Sequence, residues 1–235
     1  IHEGSTSASL KLPGIPSVCE SSQVARDVLL AEATGAHYHV CHVSAKETVR
    51  VIRDAKRAGI HVTAEDTPTN FLLNDSFIQT DDENTKLNPP LRGPEDKEAL
   101  LEGLLDGTID CIASDHAPHA LEEKALGLLK APFGIIGLEY GFALLYTHFV
   151  KTGIFALEDL IQWMSQKPAQ CFNLPHGDLQ IGSKADLAFF DLETSVIIPK
   201  TFVSKSSNSP FIGWTVYGDP VMTMVDGKTV WRKNS

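Results

Sequence analysis

The chain has 235 residues, 43% of them hydrophobic, with 20 Lys and Arg against 30 Asp and Glu for a formal net charge of −10. That length suffices for one large domain, or a domain and a small annex, around a substantial core, and the composition excludes general disorder. An acidic balance without a run of Lys and Arg offers no attraction to nucleic acid or to an anionic membrane, so an anionic substrate has to be held by a local site.

No apolar stretch approaches the roughly 20 residues that span a bilayer, and no basic-then-apolar leader opens the sequence, so a cytoplasmic protein without a membrane partner is expected. Cys19, Cys41, Cys111 and Cys171 lie far apart, with no CxxC pair. Cys41 and Cys111 fall in apolar runs, which predicts reduced core thiols and no disulfide framework. The sequence begins Ile1-His2-Glu3-Gly4 without an initiator Met, as a fragment or processed product would.

Residues 1–18, rich in Ser, Gly and Pro, read as an extended loop. A helix is predicted from about Glu20, with Val24, Val28 and Ala31 on one stripe and Gly35 as its stop. A strand follows at about His37 to Val43. Ser44-Ala45-Lys46-Glu47 then reads as a capping box, in which the Ser hydroxyl accepts from the Glu47 amide while that carboxylate reaches back, opening a helix to about Arg57. Ile60 to Ala64 is a second strand. The irregular segment Glu65 to Gly93, with its Pro89-Pro90 pair, has the length of a functional loop. Pro94, Glu95 and Asp96 open a helix whose buried stripe is Leu100, Leu101, Leu104 and Leu105, and a third strand is predicted over Ile109 to Asp115. Strand and helix alternating in this way predict a parallel α/β architecture. Helices are expected around Leu138 to Lys151 and Leu157 to Ser165, with Pro168 opening a short last turn. After about Leu174 the pattern becomes short strands, Ala185 to Asp191, Val196 to Ile198, Val221 to Val225 and Lys228 to Arg232, the last two joined by the hairpin pair Asp226-Gly227. The expected domains are 1–174 and a small β annex, 175–235.

Active sites of parallel α/β folds lie at the carboxyl ends of the strands. Three ends carry polar residues here: His42, Glu65-Asp66, and Asp115 through His119. His42 and Asp115 together suit zinc, which takes imidazole and carboxylate ligands and lowers the pKa of bound water to roughly 7. Taken singly, each residue also has an ordinary structural explanation. A strand-end His is commonly a hydrogen-bonded structural residue, Asp115 can cap a following turn, and His116 and His119 can be structural and surface imidazoles. Asn88 can cap a turn, Arg92 can be a solvated charge, and Cys41 is expected in the core. Strand alternation is expected to turn His37 and His39 away from His42, toward the helices.

Taken in one order, the segments His39-Val40-Cys41-His42-Val43-Ser44-Ala45-Lys46, Lys86-Leu87-Asn88-Pro89-Pro90-Leu91-Arg92, Ile112-Ala113-Ser114-Asp115-His116-Ala117-Pro118-His119 and Ala131-Pro132-Phe133-Gly134 closely resemble the bacterial type I dihydroorotases of the amidohydrolase superfamily. The similarity continues through Pro210-Phe211-Ile212-Gly213 and the terminal hairpin. The resemblance implies a metal-dependent (β/α)8 TIM barrel with a small β domain, and the reversible cyclisation of N-carbamoyl-L-aspartate to L-dihydroorotate in pyrimidine biosynthesis. It implies that His42, at the sixth barrel strand, is a zinc ligand, and that Asp115, at the eighth, is both ligand and general acid/base. It also implies that Asn88, His119 and the Phe133-Gly134 backbone bind substrate, with two zinc ions in a complete site and a homodimer as the assembly.

The family's His-x-His pair after the first strand, its carboxylate from the fourth and its His after the fifth have no counterpart in this sequence. The chain is therefore expected to supply the last three barrel strands and their helices, and to be inactive alone. A second departure is Thr67-Pro68-Thr69-Asn70, where the family carries His-His after Thr-Pro. Two alternatives stand beside this reading: a related cyclic amidase such as a hydantoinase or allantoinase, and a non-catalytic dihydroorotase-like scaffold subunit.

Overall fold

The computed structural model describes residues 1–175 and 177–233, so His176, Asn234 and Ser235 of the expected annex lie outside the described residues. The chain forms two compact units, Ile1–Leu138 with Thr201–Pro210, and Glu139–Lys200 with Phe211–Ser235. Among the described residues no helix is long and apolar enough to cross a membrane.

The first unit holds a parallel sheet of β1 (Tyr38–Val40), β2 (Val62–Asp66) and β3 (Cys111–Ile112), in that order. Its helices are α1 (Ser5–Ser9), α2 (Val18–Thr34), α3 (Lys46–Arg57), α4 (Pro68–Leu72), α5 (Pro94–Leu105), α6 (Leu121–Lys124) and α7 (Gly127–Lys130). The 1–18 segment thus contains one helical turn, α1, within the expected loop. Helix α2 buries Ser21, Val24, Val28 and Ala31, the predicted stripe, and Gly35 ends it. Helix α5 buries Leu100 and Leu104, whereas Leu105 is 54% exposed because one residue past Leu104 lies about 100° round the helix.

Strand β2 alternates strictly. Val62, Ala64 and Asp66 are buried, and Thr63 and Glu65 are less so. Val40, Val43, Val49, Ile52, Leu100, Leu104 and Ile109 complete the buried layer between sheet and helices, each such side chain contributing about 1.5–3 kcal/mol on full burial. The ladders stop earlier than predicted, at Val40 and Ile112. His42 (φ 38°) and Asp115 (φ 41°) both adopt left-handed backbone, which turns the chain out of an extended path. Single bonds carry the pairing a little further, from Val43 N to Glu65 O at 3.0 Å and from Ala113 N to Asp66 O at 2.9 Å.

The predicted capping box does not form. Ala45 is the N-cap of α3 and gives no side-chain bond. The Ser44 hydroxyl is instead turned to Glu20, whose carboxylate accepts the Ser44 and Ala45 amides. One Glu20 oxygen thus takes both amides of the turn that enters α3, and the other takes the hydroxyl that would have capped it.

Asp66 is fully buried. Its Oδ1 accepts from Thr67 N at 2.7 Å and Asn70 Nδ2 at 2.8 Å, while Oδ2 has no hydrogen-bond partner. Burial above all, with the charges of Glu20 and Glu65, drives its pKa well above the ordinary carboxylate value of 3.8. The folded chain therefore keeps a proton that the unfolded chain loses. Its stability contribution is whole below the unfolded pKa and declines as pH rises toward the folded one. Asp66→Asn is expected to match wild type near pH 4 and to exceed it near pH 8 by about 1–3 kcal/mol, the usual size for a buried polar group. Urea unfolding at both pH values checks this, and equal pH slopes in the two proteins would refute it.

In the second unit α8 (Gly141–Leu145) runs into a π-helical turn at Tyr146–Val150, and α9 (Leu157–Ile161) passes through another at Gln162–Gln166 into α10 (Lys167–Cys171). The turn predicted at Pro168 is therefore continuous with the helix before it. Strands β4 (Leu187–Asp191), β7 (Asp219–Val225) and β8 (Lys228–Arg232) form an antiparallel sheet in the order β4-β7-β8, while β5 (Val196–Ile197) pairs with β6 (Thr215–Val216). Strand β6 was not predicted, since two residues carry no periodicity. Asp226 (φ 49°) and Gly227 (φ 75°) both take the positive φ that a type I′ hairpin requires. Phe142 stacks on Phe190 at 4.0 Å, tying α8 to β4.

Candidate active site

His42 and Asp115 leave the two outer strands of the sheet at their carboxyl ends, His42 half-buried and Asp115 exposed. Left-handed backbone at a non-glycine residue persists where the surroundings over-determine it, and such positions cluster at ligand sites. Cys41 is exposed, not in the core as expected, because alternation sets it opposite Val40 on the less buried face. Its thiol pKa is raised by burial of the sulfur first and then by the negative charges of Glu65 and Asp115. The Asp115 charge is thus felt at the residue preceding His42. One imidazole and one carboxylate are donor types that zinc accepts, and a zinc site uses three or four protein ligands.

His39 differs from expectation. Burial first, and then the Asp27 carboxylate on α2, raise the pKa of its strand neighbour Tyr38, and Val40 is buried, so the helix-facing side is that of Tyr38 and Val40. His39 lies on the other face, its Nδ1 2.7 Å from Thr63 Oγ1 and its Nε2 3.6 Å from Glu65 Oε2. Donor atoms of His39, Glu65 and Cys111 come within 4.8 Å of one another, a polar cluster on one face of all three strands. His37 also meets Thr63 Oγ1, at 2.7 Å, and stacks on His61 at 4.2 Å. Burial first, and then the neighbouring imidazoles, lower its pKa.

Beyond β3 the loops carry a second cluster. His119 donates from Nε2 to Phe133 O at 2.8 Å, which leaves Nδ1 3.9 Å from Glu123 Oε2. Gly134 donates its amide to Lys86 O at 2.9 Å, and its carbonyl accepts from Lys124 Nζ at 3.0 Å and Asn208 Nδ2 at 3.1 Å. Asn208 is 1% exposed. It also donates to Ala117 O at 3.0 Å and accepts from His119 N at 3.3 Å and Ser206 Oγ at 2.6 Å. Lys124, 2% exposed, donates further to Pro132 O at 3.1 Å, and burial lowers its pKa. The Lys86 ammonium lies 4.7 Å from the centre of the Phe133 ring.

His119, Phe133 and Gly134 are therefore brought together. Exposed Asn88 sits two residues beyond Lys86, whose carbonyl anchors Gly134, and its bond to Pro89 is cis. Lys86 belongs to the motif quoted above. Lys124 and Asn208 had no sequence signal, Lys124 resembling an ordinary helix-surface lysine and Asn208 acting across 91 positions on Ala117. His116 is structural, as its ordinary reading held. Its Nδ1 accepts from Gly137 N at 3.2 Å and Leu138 N at 3.3 Å, with Nε2 3.4 Å from Ser204 Oγ. Arg92 is buried, not a solvated charge.

A parallel sheet with an imidazole and a carboxylate at its strand ends, beside loops that converge on a histidine, defines an α/β protein of the kind that handles a small ligand at the strand ends. The chain belongs to the amidohydrolase family, whose model matches residues 2–230. It is 61% identical over 234 residues to the dihydroorotase of Bacillus caldolyticus and 60% identical to that of Staphylococcus epidermidis, in each case over 99% of this chain and 55% of the relative. Its fold is similar to L-hydantoinase (dihydropyrimidinase) from Arthrobacter aurescens, with a TM-score of 0.86 and 34% identity over 92% of this chain and 49% of that one. D-hydantoinase from Thermus sp. matches with a TM-score of 0.84 and 29% identity, over 91% and 48%. The chain spans about half the length of the curated relatives it matches.

Proposed function

We propose that the chain is the carboxyl-terminal portion of a dihydroorotase, contributing the last three strands of a (β/α)8 barrel within residues 1–174 and a small β domain within 175–235. The reaction is the reversible hydrolysis of L-dihydroorotate to N-carbamoyl-L-aspartate, and the assembly is a homodimer in the cytoplasm. The observation that carries this reading is the convergence of His119, Phe133 and Gly134 beyond the strand end that bears Asp115, in a chain 61% identical to a dihydroorotase.

His42 and Asp115 are the residues of this chain that would hold zinc, and the rest of a two-zinc site would come from polypeptide outside it. When bound, the metal supplies Lewis acidity at the scissile carbonyl. Asp115, exposed at the end of β3, would take a proton from the water whose oxygen bonds to the carbonyl carbon and pass it to the amide nitrogen as the C–N bond breaks. The Nε2 bond to the Phe133 carbonyl holds the orientation of the His119 ring, and that imidazole is the group of this chain that would meet the substrate carboxylate. Asn88 adds a side-chain amide from the neighbouring loop. This built anion site is what an acidic protein needs.

The test joins this chain to the part of the Bacillus caldolyticus relative that lies outside the match, and assays the fusion and the 235-residue chain separately. The fusion is expected to turn over dihydroorotate and to carry stoichiometric zinc, and the chain alone to do neither. Turnover by the isolated chain would overturn the incomplete-site argument, and a zinc-free, inert fusion would favour a scaffold.

His119→Ala in the fusion is expected to raise KM for dihydroorotate about ten-fold or more, the cost of one charge-assisted bond. Hydantoin, which lacks the carboxylate, should be insensitive to the change. If both substrates respond alike, the cyclic-amidase alternative gains and the carboxylate role of His119 is lost.

A further inference from the structure

The backbone leaving His42 is fastened at four successive amides. Val43 N donates to Glu65 O at 3.0 Å, Ser44 N and Ala45 N both donate to Glu20 Oε1 at 3.0 Å, and Lys46 N donates to Asp96 Oδ1 at 2.9 Å. The second Glu20 oxygen accepts the Ser44 hydroxyl proton, and the same hydroxyl accepts from Arg92 Nε at 3.0 Å. Arg92 Nη2 lies 3.7 Å from Glu20 Oε2, and Nη1 donates to Ile15 O at 2.6 Å and lies 3.3 Å from His2 Nδ1. Only 3% of the Arg92 side chain and 16% of the Glu20 side chain are exposed.

A Ser or Thr at the N-cap position of Ala45 would accept only from the amides of Glu47 or Thr48, so the Ser44 and Ala45 amides that Glu20 takes lie outside the reach of ordinary helix capping, and holding them costs the desolvation of a guanidinium and a carboxylate. The extra machinery links three places. Glu20 belongs to α2, Ser44 lies two residues beyond His42, and Arg92 ends the Pro89-Pro90-Leu91-Arg92 run that Asn88 precedes. His42 sits at φ 38°, an uncommon conformation for a residue with a Cβ, which a fixed chain on either side stabilises. We propose that Glu20, Ser44 and Arg92 are positioning residues that lock the His42 loop in its metal-binding conformation and brace it against the Asn88 loop. The proposal rests on the reading of His42 as a zinc ligand. None of the three residues is assigned a contact with substrate or metal.

The experiment titrates zinc chloride into the metal-stripped fusion described above, carrying isotope-labelled histidine, and follows the His42 ring resonances, identified by their loss in His42→Gln. Wild type, Glu20→Gln and Ser44→Ala are compared, with circular dichroism to establish that each is folded. Ser44→Ala removes a single hydroxyl and decides the matter should Glu20→Gln not fold. Zinc affinity at His42 is expected to weaken about ten-fold or more in the folded variants, as for outer-shell partners of metal ligands, with Arg92→Lys weakened and not rescued because ammonium cannot reproduce the guanidinium fork. A purely structural network would lower the melting temperature and leave affinity in the folded protein unchanged. Affinities within about two-fold of wild type would overturn the brace. A wild-type ring that ignores zinc would instead sink the assignment of His42, and the brace with it.

Discussion

Asp115→Asn in the fused protein is expected to lower kcat for dihydroorotate by about 10²–10⁴-fold, the range spanned by a positioned general acid–base. Asn has nearly the shape of Asp and tolerates left-handed backbone, so the φ of 41° at this position is kept and the fold is not at issue. The amide cannot carry the proton that the departing nitrogen requires, and it is a poorer donor to a divalent cation. At saturating zinc, with metal content measured in both proteins, the lost proton transfer falls on the chemical step, so kcat should fall far more than KM rises. Thermal unfolding of the variant checks the premise, because a melting temperature near wild type leaves chemistry as the cause. Retention of more than about a tenth of the wild-type kcat would remove Asp115 from the mechanism.

Gly134→Ala is expected to destabilise the chain by about 2–5 kcal/mol, combining backbone strain with overpacking. Gly134 has φ 115°, and a Cβ there would lie 2.4 Å from the Ala117 Cβ and 3.5 Å from His119 Nε2. Ala117 cannot retreat easily, since its amide is held by Ile135 O at 2.8 Å and its carbonyl by Asn208 at 3.0 Å. The displacement is therefore passed to His119, and substrate affinity in the fused protein should fall with stability. Gly227→Ala is the internal comparison. Its φ of 75° borders the left-handed region that L residues can enter, unlike 115°, and nothing lies within 4 Å, so it should lose only about 1 kcal/mol. Adding Ala117→Gly to Gly134→Ala should restore the steric part alone. Urea unfolding of the four proteins separates the terms, and equal losses at Gly134 and Gly227 would show that the close approach to Ala117 has no energetic weight.

The sequence by itself determined what repeats at short range. The stripe of Val24, Val28 and Ala31 made α2, the alternation through Val62, Ala64 and Asp66 made β2, and Asp226-Gly227 made the hairpin, because spacings of two, three and four residues decide which side chains share a face. It also set out in order the motifs on which family membership rests. The tertiary structure decided the partners. Ser44 looks outward to Glu47 in sequence and is taken by Glu20 in space, 24 positions away. Arg92 reads as a surface charge until Ile15, Ser44 and Glu20 enclose it. His39 and Cys41 changed sides because the helices cover the Tyr38 and Val40 face, and Lys124 and Asn208 became the supports of the Gly134 loop only once β3 brought Ala117 to them. Local periodicity fixes which way a side chain points along its own element, but which carboxylate meets which amide depends on how separate elements are stacked, and no spacing within one segment encodes that.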